Sequence, residues 1–410
     1  MTKSDDKRVP ALRFKGFTDD WEQRKLGEIC KVTKLAGFEF TKYVNYSNTG
    51  SILAIRGINV KKGKFNLQDV KYIDNSNFSR LSRSKLQEGD ILFTYVGTIG
   101  NSAIVPKNVN WYLAPNVCLI RPQDKNSSFI SYLIQSDRFQ HEEIPKWITT
   151  SSQPALSMEN IRKFKIILPL NSEQQKISSL VSKIDKLITL QQRKVKLLEL
   201  FRKAIHNNIF PEYGKETPVI RHKKFTNKWN VVKFNTIYKK STEKNDLTYG
   251  EDKIISVAKM YFKQEKNKSS QDYLKTYNVF KIGDIAFEGN RSKGFSHGRF
   301  VQNTIGNGIV SHVFDVFTPI KKDNLKYWKY AIHNEHVMKY VLVKSTTKAT
   351  MMNNLSSKDF LKQSIAVPSS EEMNTIAKIL QDLDNQINIT NNKINYLQNM
   401  KKFLLQNMFI

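Results

Sequence analysis

The chain carries one opening segment twice, and this repetition limits the available folds more than any other feature of the sequence. Residues 10–29 read PALRFKGFTDDWEQRKLGEI, and residues 218–237 read PVIRHKKFTNKWNVVKFNTI. Eight of the twenty aligned positions are identical without a gap, and they include the tryptophans Trp21 and Trp229. Chance does not account for this many matches, so the sequence predicts two related domains in one chain.

Two further repeated stretches follow the opening segment in the same order. Gly-Asp-Ile occurs at 89–91 and again at 283–285, and each copy indicates a turn that leads into a short strand. Glycines follow both copies; such a loop can bring backbone close to a phosphate, although most glycine loops are simply turns. The third stretch covers 156–210 and 355–409 at a constant offset of 199 residues. Each half should therefore contain a mixed, strand-rich domain followed by a long helix.

The third stretch has the signals of a helix start and then a heptad pattern. A cap and acidic residues follow Pro169 and Pro368, and apolar residues then recur at alternating steps of four and three. A helix over 172–208 would be about 55 Å long, too long for burial in one small domain. Its simplest partner is its own repeat, in an antiparallel pair that sets the distance between the two domains. Ordinary core faces of separate bundles are the alternative.

The two heptad seams are interrupted at the same places, by Gln191 and Arg202 in the first and by Thr390 and Lys401 in the second. In an antiparallel pair only central positions meet their counterparts, so Gln191 and Thr390 are expected to face each other. The residues predicted to pair the helices are Ile177, Ile184, Ile188, Gln191, Leu198, Ile376, Leu383, Ile387, Thr390 and Leu397.

Positive charge dominates the composition. The 66 Lys and Arg residues exceed the 37 Asp and Glu residues by 29, and this excess favours an anionic partner, above all nucleic acid. A basic surface that only maintains solubility is the alternative. No apolar run approaches the ~20 residues that span a bilayer, so we expect a cytoplasmic protein with no membrane partner. Cys30 and Cys118 fit no zinc pattern and suit a reducing compartment.

Together, the duplicated opening segment, the two Gly-Asp-Ile turns and the two long helices resemble the specificity subunit of type I restriction-modification enzymes, over essentially the whole chain. The resemblance implies an α+β protein in which two similar mixed α/β target-recognition domains are separated by two long antiparallel coiled-coil helices, as a pseudo-two-fold internal repeat. The expected boundaries are 1–168 for the first recognition domain, 169–210 for the first spacer helix, 211–217 for a linker, 218–367 for the second recognition domain and 368–410 for the second spacer helix.

The resemblance also implies a function and partners. The chain would bind a bipartite site in double-stranded DNA and dock two methyltransferase subunits and the restriction (motor) subunits. S-adenosylmethionine, ATP and Mg²⁺ would be bound by those partners, and this chain would bind no cofactor. A coiled-coil assembly scaffold with nonspecific nucleic-acid binding is the alternative function.

No catalytic motif is evident in the sequence, so a non-catalytic subunit is expected. An amine methyltransferase would carry Asn-Pro-Pro-aromatic, and the chain has no Pro-Pro. The nearest match to a phosphate-binding loop, at 289–294, is followed by Phe295 where a lysine is needed. His333 and His336 have the wrong spacing for a zinc helix and are predicted to face solvent rather than bind a metal.

Candidate DNA contacts follow from side-chain chemistry, because target-reading residues vary within such a family. Arginines pair bidentately with guanine, whereas hydroxyls, amides and lysines contact phosphate or adenine. The candidates, none of them expected to be catalytic or to bind a metal, are Arg56, Arg80, Arg83, Thr98, Gln153, Arg291, Lys293, Arg299, Thr347 and Lys348.

Overall fold

The computed structural model describes residues 9–123, 126–149, 154–263, 270–292, 294–348 and 352–410. The chain divides into two compact units. The first unit comprises residues 1–192 and 392–410, and the second comprises residues 193–391. Each unit therefore contains one strand-rich domain together with parts of both long helices. The candidates Gln153 and Lys293 lie outside the described residues.

The first unit contains eleven described strands and four short α-helices, and the first long helix begins in it. The strands are β1 (Glu22–Lys25), β2 (Cys30–Lys34), β3 (Leu53–Ile55), β4 (Val60–Lys61), β5 (Lys64–Phe65), β6 (Lys71–Tyr72), β7 (Ile91–Thr94), β8 (Ser102–Ile104), β9 (Trp111–Leu113), β10 (Val117–Pro122) and β11 (Lys165–Leu168). The helices are α1 (Leu26–Ile29), α2 (Gly37–Tyr43), α3 (Ser127–Gln135), α4 (Met158–Arg162) and the long α5 (Asn171–Asn208).

The second unit repeats this plan, and the second long helix begins in it. Its described strands are β12 (Asn230–Lys233), β13 (Tyr238–Lys240), β14 (Ile255–Ser256), β15 (Tyr261–Phe262), β16 (Asn278–Phe280), β17 (Ile285–Glu288), β18 (Arg299–Gln302), β19 (Gly308–Val310), β20 (Val316–Pro319), β21 (Thr346–Lys348), β22 (Asn353–Leu355) and β23 (Ser364–Val367). Its helices are α6 (Gln271–Lys275), α7 (Leu325–Ala331), α8 (Glu335–Ser345), α9 (Ser357–Lys362) and the long α10 (Ser370–Asn407).

The sheet topology confirms the repeat. The main sheet of the first unit has the order β2-β10-β7-β8, and that of the second unit has the order β13-β20-β17-β18, with antiparallel neighbours in both. A small sheet accompanies each one, β1-β11 and β12-β23. The predicted Gly-Asp turns lead into β7 and β17, and Gly89 and Gly283 have φ values of +85° and +91°, which only glycine adopts readily. All four residues of β7 and of β17 are buried, so neither strand shows an in–out alternation.

The two units differ in what is added to this common plan. The first unit adds a three-stranded sheet, β6-β3-β9, with a separate apolar core around Ile55 and Leu113. The second adds the two-stranded sheets β14-β15, β16-β19 and β21-β22, with smaller cores around Phe280 and Ile309. The same scaffold therefore carries different insertions in its two copies.

Aromatic side chains dominate the two main cores. Trp21 of the repeated opening segment packs edge-on against Phe129 in the first unit, with ring centroids 6.0 Å apart. In the second unit Phe300 and Phe317 pack on Phe360, at 4.4 and 5.0 Å. Each fully buried side chain of this kind stabilises the fold by ~1.5–3 kcal/mol relative to its exposed state.

The long helices have the predicted extent, with 38 residues each, and their segments run antiparallel within the first unit. Leu12 N donates to Asn407 O at 2.8 Å, and the next residue, Arg13, forms a bidentate pair with Glu173. These contacts bring the end of α10 to the start of α5. Further along both helices, Lys401 Nζ pairs with Asp185 Oδ1 at 2.7 Å, so the two segments run in opposite directions.

The second unit repeats this arrangement with the helices exchanged. Ile220 N donates to Asn208 O at 2.9 Å, and Arg221 pairs bidentately with Glu372. Arg202 pairs with Asp384, whose second oxygen accepts the Tyr330 hydroxyl at 2.8 Å. The arginine of the opening segment thus fixes that segment to the start of a long helix in both copies, where a carboxylate also suits the helix dipole.

Several predicted pairing residues are buried, namely Ile177, Ile184, Ile376, Thr390 and Leu397. The side chains of Ile188, Gln191, Leu198, Leu383 and Ile387 are intermediate in exposure. Gln191 belongs to the first unit and Thr390 to the second, and their facing each other stays a prediction.

Candidate nucleic-acid interface

In the second unit, the glycine loop after β17 lies against the β21–β22 hairpin. Asn353 N donates to Gly289 O at 2.9 Å, and a Cβ at position 289 would lie 2.2 Å from Asn353 O. Glycine is therefore required where the loop meets the strand. This contact joins residues 289–292 and 294–298 to strands β21 and β22 in one polar edge, which we call the second-unit edge. It carries the candidates Arg291, Thr347 and Lys348, all of them exposed.

Arg291 is held in place by a residue that the sequence did not single out. Its Nε donates to Asn353 Oδ1 at 3.2 Å, and Asn353 Nδ2 in turn donates to Ser296 O at 3.4 Å. Asn353 is buried, so its amide is fixed, whereas the Arg291 side chain is exposed.

Arg299 has a different environment. Its Nε donates to the buried carboxylate of Glu288 at 2.6 Å, its Nη2 donates to Ala258 O at 3.0 Å, and its guanidinium lies 5.2 Å from the centre of the Phe295 ring. These contacts join β18 to β17 and use much of the side chain's donor capacity. We therefore regard Arg299 as poorly available to a base.

The first unit has an edge at the corresponding strand end. Leu156 N donates to Tyr95 O at 2.9 Å, and Gly97 N donates to Pro154 O at 3.4 Å, so the loop after β7 lies against the segment before α4. The candidate Thr98 is exposed on this loop, where its carbonyl accepts the Thr94 hydroxyl at 2.5 Å. The candidates of the glycine loop and of the hairpin are thus neighbours in the second unit, whereas Thr98 is the described candidate at the first-unit edge.

The three remaining arginine candidates are not gathered at the first-unit edge. Arg56 Nη2 donates to Asp69 Oδ1 at 2.8 Å, and the next residue, Gly57, contacts Asn116, whose carbonyl accepts from Tyr95 N at 3.3 Å. Arg56 is therefore close to this edge but is engaged by a carboxylate.

Arg80 and Arg83 lie on short helical turns elsewhere in the unit. Arg83 Nη2 donates to Glu39 Oε1 of α2 at 2.7 Å, and Arg80 is exposed. In the described part of the chain, no hydrogen bond or ion pair joins Arg80 or Arg83 to the loop of residues 95–100.

The repeated Gly-Asp-Ile turns support both edges with different electrostatics. Asp90 is buried and forms a bidentate ion pair with Arg121, at 2.6 and 2.7 Å. Asp284 is equally buried but has no arginine partner among the described residues, and it accepts from Lys281 N at 2.8 Å. Burial raises the pKa of Asp284 from the ordinary 3.8 to about 6, despite this bond and the nearby Thr318 hydroxyl. The buried charge of Asp284 therefore lowers the stability of the second unit, whereas the ion pair with Arg121 compensates the charge of Asp90 in the first.

The histidine prediction was half wrong. His336 is exposed as expected, but His333 is only partly exposed, its Nδ1 lies 3.1 Å from Phe300 O, and its ring is 4.8 Å from that of Phe295. Burial lowers the pKa of His333, which favours the neutral ring. No group of metal-binding side chains occurs among the described residues, and no helix there is long and apolar enough to cross a membrane.

Comparison with known proteins identifies the repeated plan. A family model for the type I restriction modification DNA specificity domain matches residues 18–200 and, a second time, residues 195–399. The chain belongs to the type I restriction-modification DNA specificity family. The two matches coincide with the two copies of the sheet, so each unit corresponds to one specificity domain of the family.

Solved structures and a curated relative agree with this assignment. The crystal structure of a type I restriction-modification system S subunit from M. genitalium is similar over 98% of this chain and 99% of its own, with a TM-score of 0.58 at 13% identity. The HsdS subunit from Thermoanaerobacter tengcongensis gives a TM-score of 0.50 at 17% identity, over 95% and 96%. At these identities the likeness concerns the fold.

The putative type I restriction enzyme MjaX specificity subunit from Methanocaldococcus jannaschii is 26% identical over 214 residues, which is 50% of this chain. The match spans about half of that relative, 48% of its length.

Proposed function

We propose that the chain is the DNA sequence-specificity subunit of a type I restriction-modification complex and reads a bipartite site in double-stranded DNA, one half-site per unit. The observation that most supports this is the recurrence of a loop edge at the same strand end of both units, built from different side chains. A common scaffold would place both edges alike, while the different side chains would read different base sequences.

The net charge of +29 supports DNA as the ligand. Lysines and arginines that neutralise phosphates release counterions, so affinity should fall steeply as salt is raised. This dependence alone would also fit the alternative, an assembly scaffold that binds nucleic acid nonspecifically. Discrimination between a target and a scrambled duplex separates the two functions.

The same proposal assigns the chemistry to partner subunits. Two methyltransferase subunits would bind S-adenosylmethionine, and restriction subunits would use ATP and Mg²⁺, whereas this chain would supply sequence reading and docking. Membership of the specificity family supports this division of labour. The cytoplasmic location stays a prediction.

The decisive experiment begins with sequencing of methylated bases in cells that carry the complete system, which yields the target. Residues 30–155 are then exchanged for those of a relative with a different target, and the methylated site is determined again. We expect one half-site to change and the other to persist. A matched exchange of residues 238–355 should change only the other half-site. Changes in both half-sites from a single exchange would contradict the assignment of one half-site to each unit.

A further inference from the structure

A surface cavity of about 260 Å³ opens beside the second-unit edge, between the glycine loop, the residues before β20 and strand β22. Two apolar side chains that line it are exposed, Val313 at 61% and Met352 at 41%. Phe287, Phe314 and Leu355 line the same cavity. A concave apolar patch within a polar edge indicates a surface that a ligand covers.

The surroundings of this cavity are polar and basic. The side chains of Asn290 and Asn354 are exposed at its lining, and Arg291 follows Asn290 in the chain. Across the hairpin, Thr347 pairs in register with Asn354, and Lys348 pairs with Asn353. The one carboxylate in the lining, Asp315, is paired with Lys240 at 2.7 Å. Basic side chains and exposed amides surround this apolar patch. Together they suit a nucleic acid, which presents phosphates and base edges, better than they suit an apolar protein surface.

In the major groove, an A·T base pair offers a methyl group on thymine together with an acceptor and a donor on adenine. Apolar side chains contact the methyl group, and an asparagine amide can pair with adenine through both of its ends. We infer that this cavity receives the thymine 5-methyl group of an A·T pair in the half-site of the second unit, with Val313 and Met352 against the methyl group and Asn354 towards the adenine. This inference rests on the proposed function.

The first unit provides an internal comparison. By the offsets of the sequence repeat, Val96 corresponds to Asn290 and Ala155 corresponds to Asn354. Neither residue carries an amide, so the first unit lacks the polar part of this arrangement at the equivalent positions. We therefore expect this kind of dependence of DNA binding on a thymine methyl group only at the second half-site.

Deoxyuridine, which differs from thymine only in the missing methyl group, tests the inference directly. Using the full chain purified with the methyltransferase subunits that it is proposed to bind, affinities are measured for target duplexes in which each thymine of the second half-site is replaced in turn. Burial of one methyl group contributes about 0.8 kcal/mol, so one replacement should weaken binding about 4-fold. The double variant Val313→Ala/Met352→Ala should bind the thymine and uracil duplexes equally.

Two further variants sharpen the result. Asn354→Ala should reduce discrimination between A·T and G·C at that same position about 10-fold. Val231→Ala, which alters a comparably exposed valine on β12 in a different sheet, should retain the 4-fold preference for thymine.

The outcomes separate this inference from the proposed function. If the wild-type complex prefers its target over a scrambled duplex but tolerates uracil at every position of the second half-site, the inference is wrong and the function stands. The same conclusion follows if the double variant keeps the thymine preference, or if the second half-site contains no A·T pair. If the complex shows no preference for any sequence, both are wrong.

Discussion

Asp284 and Asp90 occupy the same position of the repeat, and we predict that replacing them by asparagine has opposite effects on stability. Only 2% of Asp284 is exposed, one of its carboxylate oxygens has no hydrogen-bond partner in the described structure, and its pKa is raised to about 6. Relative to an unfolded value of 3.8, this shift of ~2 pH units corresponds to a cost of ~3 kcal/mol at neutral pH, because each unit is worth ~1.4 kcal/mol.

The sign of the pH dependence follows from proton binding. Between about pH 4 and pH 6 the folded state retains a proton on Asp284 that the unfolded state has lost, so stability falls as the pH rises through this window. Below pH 4 both states are protonated and the cost vanishes. Asp284→Asn removes the charge and should stabilise the second unit by up to ~3 kcal/mol at pH 7, with little effect below pH 4.

Asp90→Asn is the matched control. It breaks a buried bidentate pair and leaves Arg121 without its carboxylate, which should destabilise the first unit by ~3–5 kcal/mol. Because a chain with two units need not unfold in one step, hydrogen exchange of β7 and β17 under increasing denaturant should be measured at pH 4 and pH 7. A destabilised second unit in Asp284→Asn at pH 7, or an effect that does not change with pH, would refute the reasoning.

Four further predictions concern other parts of the molecule. Arg291→Ala should weaken specific DNA binding by ~1–3 kcal/mol in competition titrations and leave nonspecific binding nearly intact, whereas Arg299→Ala should mainly lower the unfolding temperature; equal losses on both DNAs would make Arg291 a phosphate contact. The purified chain should neither methylate nor cut DNA, and methyl transfer by a preparation free of methyltransferase would contradict this. Matched four-residue insertions after Gln191 and Thr390 add ~6 Å to each helix and should lengthen the preferred DNA spacer between the half-sites by one or two base pairs, as target selection would reveal; an unchanged DNA spacer would show that the helix pair does not set the distance between the half-sites. Burial lowers the pKa of His206 from 6.5 to about 4, so its neutral form stabilises the second unit above pH 6.5 and this contribution is lost as the pH falls through 4. His206→Leu should therefore reduce the loss of unfolding temperature at acidic pH. An unchanged loss would exclude His206 as its cause.

The repeat and the heptad pattern predicted the scaffold because both depend on periodicity along the chain. The same pattern treated Arg202 and Lys401 only as interruptions. Each in fact pairs with an aspartate on the other long helix, and heptad spacing alone does not reveal the register that brings these charges together.

The candidate interface was less predictable, for a related reason. Asn353 positions Arg291 only because the hairpin folds back onto the glycine loop, which lies about 60 residues away in sequence. Likewise, His333 was assigned to solvent from its local spacing, whereas burial depends on β18 and Phe295 packing over it. Sequence chemistry proposed polar and basic side chains that the structure brings to the second-unit edge, but tertiary packing decides which of them are available.

The division of the chain between the two units has a consequence for biosynthesis. The second unit is formed from one continuous stretch, 193–391, whereas the core of the first unit includes Leu397, Leu404 and Phe409. Translation at ~5–20 residues per second leaves ~10–40 s between synthesis of residue 192 and of residue 392. During that interval the apolar surface awaiting α10 stays open, whereas the second unit has all of its residues once residue 391 is made. The half that is made first is therefore completed last, and during that interval it depends most on protection from aggregation.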